Sequence, residues 1–136
     1  MSVGLLIITH GAIGEDLLAT ATQMLGVCPL ATDTLAVAFD CDPDVVLEQA
    51  MEKARRLEAG LGVLVLTDMY GSTPSNIANR LPEQLPVTVV AGINLPMLVR
   101  VLNYPRLSLN ELAQKALSGG RDGVLLCSPR LDRVHD

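Results

Sequence analysis

Gly62-Val63-Leu64-Val65-Leu66-Thr67 decides the fold. Both alternations of this short run are apolar, so a strand built from it has no face to give to water. Such strands belong to parallel sheets covered by helices on both sides. Val3-Gly4-Leu5-Leu6-Ile7-Ile8, nearer the start, reads as a strand of the same kind, and Thr34 to Phe39 and Pro86 to Ala91 read as two more. Helical spacing fills the gaps. Leu17, Leu18, Ala21, Met24 and Leu25 form one stripe, closed by Gly26. Leu47, Ala50, Met51, Ala54 and Leu57 form another, ended by Gly60 and opened by Asp42 as N-cap and Pro43 as first helical residue. Thr73 as N-cap and Pro74 open a short helix carrying Ile77, Ala78 and Leu81. A helix through Leu98, Val101 and Leu102 follows the fourth strand. Ser108-Leu109-Asn110-Glu111 is a capping box, and the helix behind it uses Leu112, Ala113, Ala116 and Leu117 until Gly119-Gly120 stops it. Gly123 to Cys127 reads as a short strand at an edge.

This alternation predicts a doubly wound α/β fold. Four strands lie in a mostly parallel sheet, order 2-1-3-4, with helices on both faces and a short C-terminal edge strand. Residues 1–127 read as one domain and 128–136 as a tail, where His135 is a solvated residue. The length of 136 residues suits one domain, since domains commonly hold ~100–150. With 49% hydrophobic and 18% charged residues the chain has apolar surface enough for a core, which excludes disorder.

Composition excludes several functions. Aromatic residues make up only 2%, too few for a base-stacking platform. The net charge of -5 repels a phosphate backbone, so nucleic acid is not a partner. The first apolar run has no basic residue before it and is no secretory signal. No apolar stretch approaches the ~20 residues of a membrane span, so direct insertion is excluded. Cys28, Cys41 and Cys127 are scattered without a CxxC pair and read as reduced thiols of a cytoplasmic protein.

In open α/β sheets ligands bind beyond the carboxyl ends of the strands, where strand order reverses. In the order 2-1-3-4 that point lies between strands 1 and 3. Strand 1 ends in Thr9-His10-Gly11 and strand 3 in Thr67-Asp68. A lone histidine more often makes an ordinary core or turn hydrogen bond. Here its place at a strand end, with a carboxylate on the adjacent strand, favours chemistry. The carboxylate accepts from one ring N–H and fixes the tautomer, and the other nitrogen turns its lone pair outward. Gly11 leaves room for a substrate.

Asp68-Met69-Tyr70-Gly71-Ser72-Thr73-Pro74-Ser75-Asn76 follows. The start of the Thr73 helix offers free N–H groups, at Ser75, Asn76 and the turn before them, to an anion. The hydroxyls of Ser72 and Thr73 add donors. Alone, Thr73-Pro74 is an ordinary helix cap; beside His10 it suggests a phosphorylatable histidine whose phosphoryl oxygens the helix start receives. The carboxylate then lies on the far side of the ring, since two anions in contact repel. A hydrolase fits less well, for no G-x-S-x-G elbow is present. One His and one Asp are too few ligands for a metal, and no nucleotide-binding glycine pattern appears, so no metal or cofactor is expected.

Ile7-Ile8-Thr9-His10-Gly11, Leu66 to Asn76, Ala91-Gly92-Ile93-Asn94-Leu95-Pro96-Met97-Leu98 and Gly119-Gly120-Arg121-Asp122-Gly123-Val124 together resemble the mannose-family IIA domain of the bacterial phosphoenolpyruvate-dependent sugar phosphotransferase system. The resemblance spans residues 1–127. It implies that His10 takes a phosphoryl group from the phosphocarrier HPr and passes it to a IIB protein in sugar uptake. It implies that Asp68 orients the ring and that Gly11, Gly71, Ser72, Thr73, Ser75 and Asn76 surround the phosphoryl group. It also implies a homodimer, with the last strand pairing across it. Relatives commonly carry Gly-Gly-Ser-Pro where this chain has Gly71-Ser72-Thr73-Pro74, which narrows the pocket or supplies another donor. Three rivals stand beside this reading. One is a regulatory protein whose His10 phosphorylation controls a partner without transport. Another is the phosphotransferase subunit of a dihydroxyacetone kinase, against which Gly11 and Thr73-Pro74 argue. The third is a small-molecule binding module with an inert His10.

Overall fold

A computed structural model describes residues 2–128. The elements run β1 (Gly4–His10), α1 (Ile13–Leu25), β2 (Thr32–Val37), α2 (Pro43–Leu57), β3 (Val63–Thr67), α3 (Thr73–Ala78), a 3-10 turn (Leu81–Glu83), β4 (Val87–Ala91), α4 (Leu95–Leu102) and α5 (Leu109–Asp122). The four strands form one sheet in the order β2-β1-β3-β4, and every pairing is parallel. This is the order expected for a switch point between β1 and β3.

The absence of a wet face on the central strands is borne out. In β1, Leu5 and Ile7 face a core shared with Ala21 of α1, Leu98 and Val101 of α4, and Leu112 and Ala116 of α5. Leu6 and Ile8 face the opposite core, with Val46 and Ala50 of α2 and Ile77 of α3. A strand buried on both sides must alternate apolar with apolar, which is why it shows no polar period. The caps are also as read: Asp42 accepts from the Asp44 amide, and Ser108 and Glu111 form the reciprocal capping box.

Four readings need correction. β2 starts and ends two residues earlier than expected, because it pairs with β1 from Leu5↔Thr32 to His10↔Val37, and Phe39 falls in the turn beyond. Gly119-Gly120 does not stop α5, which runs on to Asp122. A Cβ on Gly119 would lie 2.8 Å from Cβ of Arg100, and one on Gly120 2.7 Å from Cε of Met97. These glycines serve close packing of α5 on α4. Gly123 to Cys127 form no strand, since among the described residues nothing pairs with them, and Val124, Leu125 and Leu126 stand exposed. Finally, α3 has Ser72 as N-cap and Thr73 as first helical residue, and it stops at Ala78, so Leu81 falls in the 3-10 turn beyond it. The tail, Ser128 apart, lies outside the described residues, as does His135.

Candidate phosphoryl-transfer site

The β1–β3 ladder ends at Ile8↔Thr67, and a side chain takes over from the backbone there. The Asp68 carboxylate accepts the His10 amide at 3.0 Å and meets the His10 ring Nδ1 at 2.7 Å, both through Oδ2. Its other oxygen, Oδ1, accepts the Met69 amide at 3.0 Å. Strand pairing thus supplies the closeness of two residues 58 apart in sequence, and one carboxylate fixes both backbone and ring. The two are the expected pair on neighbouring strands. The Met69 amide was not foreseen; a backbone donor leaves no residue-type signal.

The pair sits at a boundary. The His10 side chain is 42% exposed and that of Asp68 13%. Burial pushes the Asp68 carboxyl up, but the hydrogen bonds from the His10 ring and amide, the ring's charge and a backbone amide outweigh it. The carboxyl is held below its ordinary value. It is therefore an anion at neutral pH. An anion at Nδ1 makes that nitrogen the donor and leaves Nε2 with its lone pair free. Gly11, at φ +48°, turns the chain away directly after His10, and its amide donates to Val37 at the end of β2. On the other side of β1, Thr9 Oγ1 accepts the Gly14 amide at 2.9 Å and seats the first turn of α1.

The segment from Gly71 to Asn76 emerges at the same end of the sheet, since it follows Asp68 directly. Among the described residues, no hydrogen bond links it to His10. The amides of Thr73 and Ser75 have no acceptor there, whereas the Asn76 amide, expected to be free, donates to Ser72 O at 2.8 Å. The Ser72 hydroxyl donates to Met69 O and so ties the loop back on itself. Thr73 and Asn76 are exposed and, with Pro43, Ile77 and Arg80, line a hollow of about 210 Å³. The hydroxyls of Thr67 and Ser75 are fully buried without a partner. A groove of about 620 Å³ beside α1, lined by Leu18, Thr22 and Thr34 among others, includes neither His10 nor Asp68. Among the described residues, no cluster of His, Cys, Asp and Glu is arranged to hold a metal. No helix of the described residues is long and apolar enough to cross a membrane.

Fold and pair define a class: an open α/β domain with a carboxylate-held histidine at the switch point of its sheet. Residues 4–117 match the family EIIA-man, described as the PTS system fructose IIA component, and the chain belongs to that family. It is 33% identical over 129 residues to the PTS system mannose-specific EIIAB component of Escherichia coli (strain K12), covering 91% of this chain and 39% of that protein. It is 30% identical over 118 residues to the transcriptional regulatory protein LevR of Bacillus subtilis (strain 168), covering 82% of this chain and 12% of that one. The chain therefore spans well under half of either relative. Among solved structures, the mannose/sorbose specific IIA subunit of the phosphotransferase system from Enterococcus faecalis superposes with a TM-score of 0.84 at 26% identity, covering 94% of this chain and 96% of that one.

Proposed function

We propose that this chain is a cytoplasmic phosphohistidine carrier, taking a phosphoryl group from HPr onto His10 and passing it to a IIB component in sugar uptake. The observation that carries the reading is the 2.7 Å contact of Asp68 with Nδ1, which leaves Nε2 as the nucleophile. In the forward step the lone pair of Nε2 attacks phosphorus, the bond from phosphorus to the donor's nitrogen breaks, and that nitrogen keeps the electron pair. Nδ1 keeps its proton throughout. The phosphorylated ring is then cationic, and Asp68 balances that charge from the far side. Gly11 and Gly71 leave space at the ring, and the free amide and the hydroxyl of the exposed Thr73 receive the phosphoryl oxygens, while Ser75, fully buried, holds the helix start behind them. Ser72 and Asn76 support this loop by holding its shape. The exposed Val124, Leu125 and Leu126 are the surface a second copy covers in a homodimer, for which light scattering should return twice 14.5 kDa.

A regulatory role, in which the phosphorylation state of His10 governs a partner, is the second reading, favoured by the similarity to LevR. Both readings need a phosphorylated His10. Intact-mass spectrometry after incubation with phosphoenolpyruvate, enzyme I and HPr should show one acid-labile phosphoryl group, absent in His10→Ala. No added mass, with HPr shown to be charged in the same tube, would remove both. Transfer onward to a IIB protein then separates transport from regulation.

A further inference from the structure

Strand β2 lies at an edge of the sheet, and among the described residues its one neighbour strand is β1. The Leu5 amide donates to Ala31 O and the Gly11 amide to Val37 O. The odd-numbered residues of this stretch therefore turn their backbone groups toward β1. In a parallel ladder the residues between them turn theirs the other way. The amides and carbonyls of Thr32, Thr34 and Ala36 thus point outward, to where a fifth strand would lie. Such a row of groups is a template for another chain.

Two features make this edge a hazard. The groove beside α1, lined by Leu18 and Ala19 among others, reaches Thr34 and so runs along the edge. The chain also carries a segment fit to add there. Val124, Leu125 and Leu126 are 75%, 76% and 69% exposed, have strand composition and pair with nothing among the described residues. One side chain stands in the way. Asp33 Oδ1 accepts the Thr34 amide at 2.8 Å. That amide points outward, so the carboxylate occupies the place that the carbonyl of an added strand would need. Asp33 shares the face of Leu35 and Val37, which pack under α2, and its Oδ2 accepts from Lys53 Nζ of α2 at 3.0 Å. The other edge strand, β4, carries no charged residue, so the arrangement is particular to β2.

We infer that the Asp33–Lys53 pair bars the β2 edge to strand addition by a second copy of this chain. An incoming strand must displace the carboxylate from the Thr34 amide and strip water from two charges, and a peptide backbone gives neither charge a counterion in return. Lys53 holds the carboxylate over the edge from above, which a free side chain on an edge strand does not achieve. The consequence is for assembly. Copies that add at both edges of a sheet form an open series, whereas copies barred from one edge stop at a closed pair.

Light scattering at rising concentration tests the bar. The native mass should level off at or below twice 14.5 kDa. Asp33→Thr keeps a strand former at the position and removes the carboxylate, and its mass should climb past the native plateau as concentration rises. Adding Thr34→Pro deletes the outward amide without touching the β1 ladder, and it should return the mass to that plateau. Hydrogen exchange at the outward Ala36 amide should slow in the larger species. Folded Asp33→Thr chain, by far-UV circular dichroism, that keeps the native plateau would overturn the inference. Larger species that persist with Thr34→Pro would overturn it too, since the assembly would then not use the strand edge. Should Asp33→Thr fail to fold, Lys53→Gln decides. It leaves the strand intact and lets the carboxylate swing away, so its mass should also climb, and a native plateau there would equally sink the bar.

Discussion

The seam between β1 and β3 and the corner between α4 and α5 are held by different physics. At the seam a polar pair, His10 and Asp68, closes the end of a ladder, its ring open to water and its carboxylate mostly covered. At the corner two glycines let the backbones of α4 and α5 approach until one methyl group would not fit. Polar ties flank that close approach: Asn94 Nδ2 donates to Gly120 O at 3.1 Å, and Arg100 meets Asp122 at 2.8 Å. A polar pair with one partner open to water contributes little to folding. Close-packed interiors do not forgive added volume. The seam is thus free to hold chemistry, and the corner is committed to stability. Substitutions should separate the two, with function lost at one and folding at the other.

The largest effect is expected at the seam. Asp68→Asn keeps the shape and removes the charge that, on the proposed mechanism, balances a phosphorylated ring. The rate of transfer to His10 should fall roughly 10–100-fold, as when an orienting partner is lost. Unfolding by urea should change by no more than about 1 kcal/mol. A large loss of stability with the rate intact would erase the distinction. At the corner the pattern reverses. Gly119→Val drives a side chain into Arg100 Cβ and within 3.3 Å of Met97 Cα, and should cost about 1–3 kcal/mol of stability. Its folded fraction should still be labelled at the native rate. A denaturation midpoint equal to the native one would show that α5 can move off α4 freely.

The same contrast explains what the sequence reveals. Strand order, the Asp42 and Ser108 caps and the His10–Asp68 pairing all follow from local pattern plus one topological rule, and all are found. The misreadings concern residues whose role depends on a neighbour that the local pattern does not contain. Gly119-Gly120 looks like a helix stop until α4 is laid against it. Val124-Leu125-Leu126 has strand composition, but a strand exists only beside another strand. Phe39 has a strand former's side chain, yet the ladder ends at Val37 and leaves it outside. Thr73 before Pro74 looks like a cap, but the turn from Met69 to Ser72 sets the helix start one residue earlier.

The smallest effects are titrations, and they give the most direct view of the seam. Two carboxyls, Asp68 and Glu111, are held below their ordinary values for different reasons. Asp68 is lowered against its own burial, chiefly by the ring of His10. Glu111 is fully in water and is lowered by the hydroxyl and amide of Ser108. A carboxyl lowered in the folded state adds stability that is present above its unfolded value of about 4, and this is lost as pH falls through the folded value. His10→Ala removes the ring but not the burial, so the Asp68 carboxyl should move up, and its share of stability should disappear at a higher pH than in the native chain. Ser108→Ala should move Glu111 up and leave Asp68 where it was. Carbon-13 NMR of the side-chain carboxyls resolves both. An Asp68 that titrates alike with and without the ring would mean the carboxylate is set by backbone amides alone, and it would then have no hold on the histidine it touches.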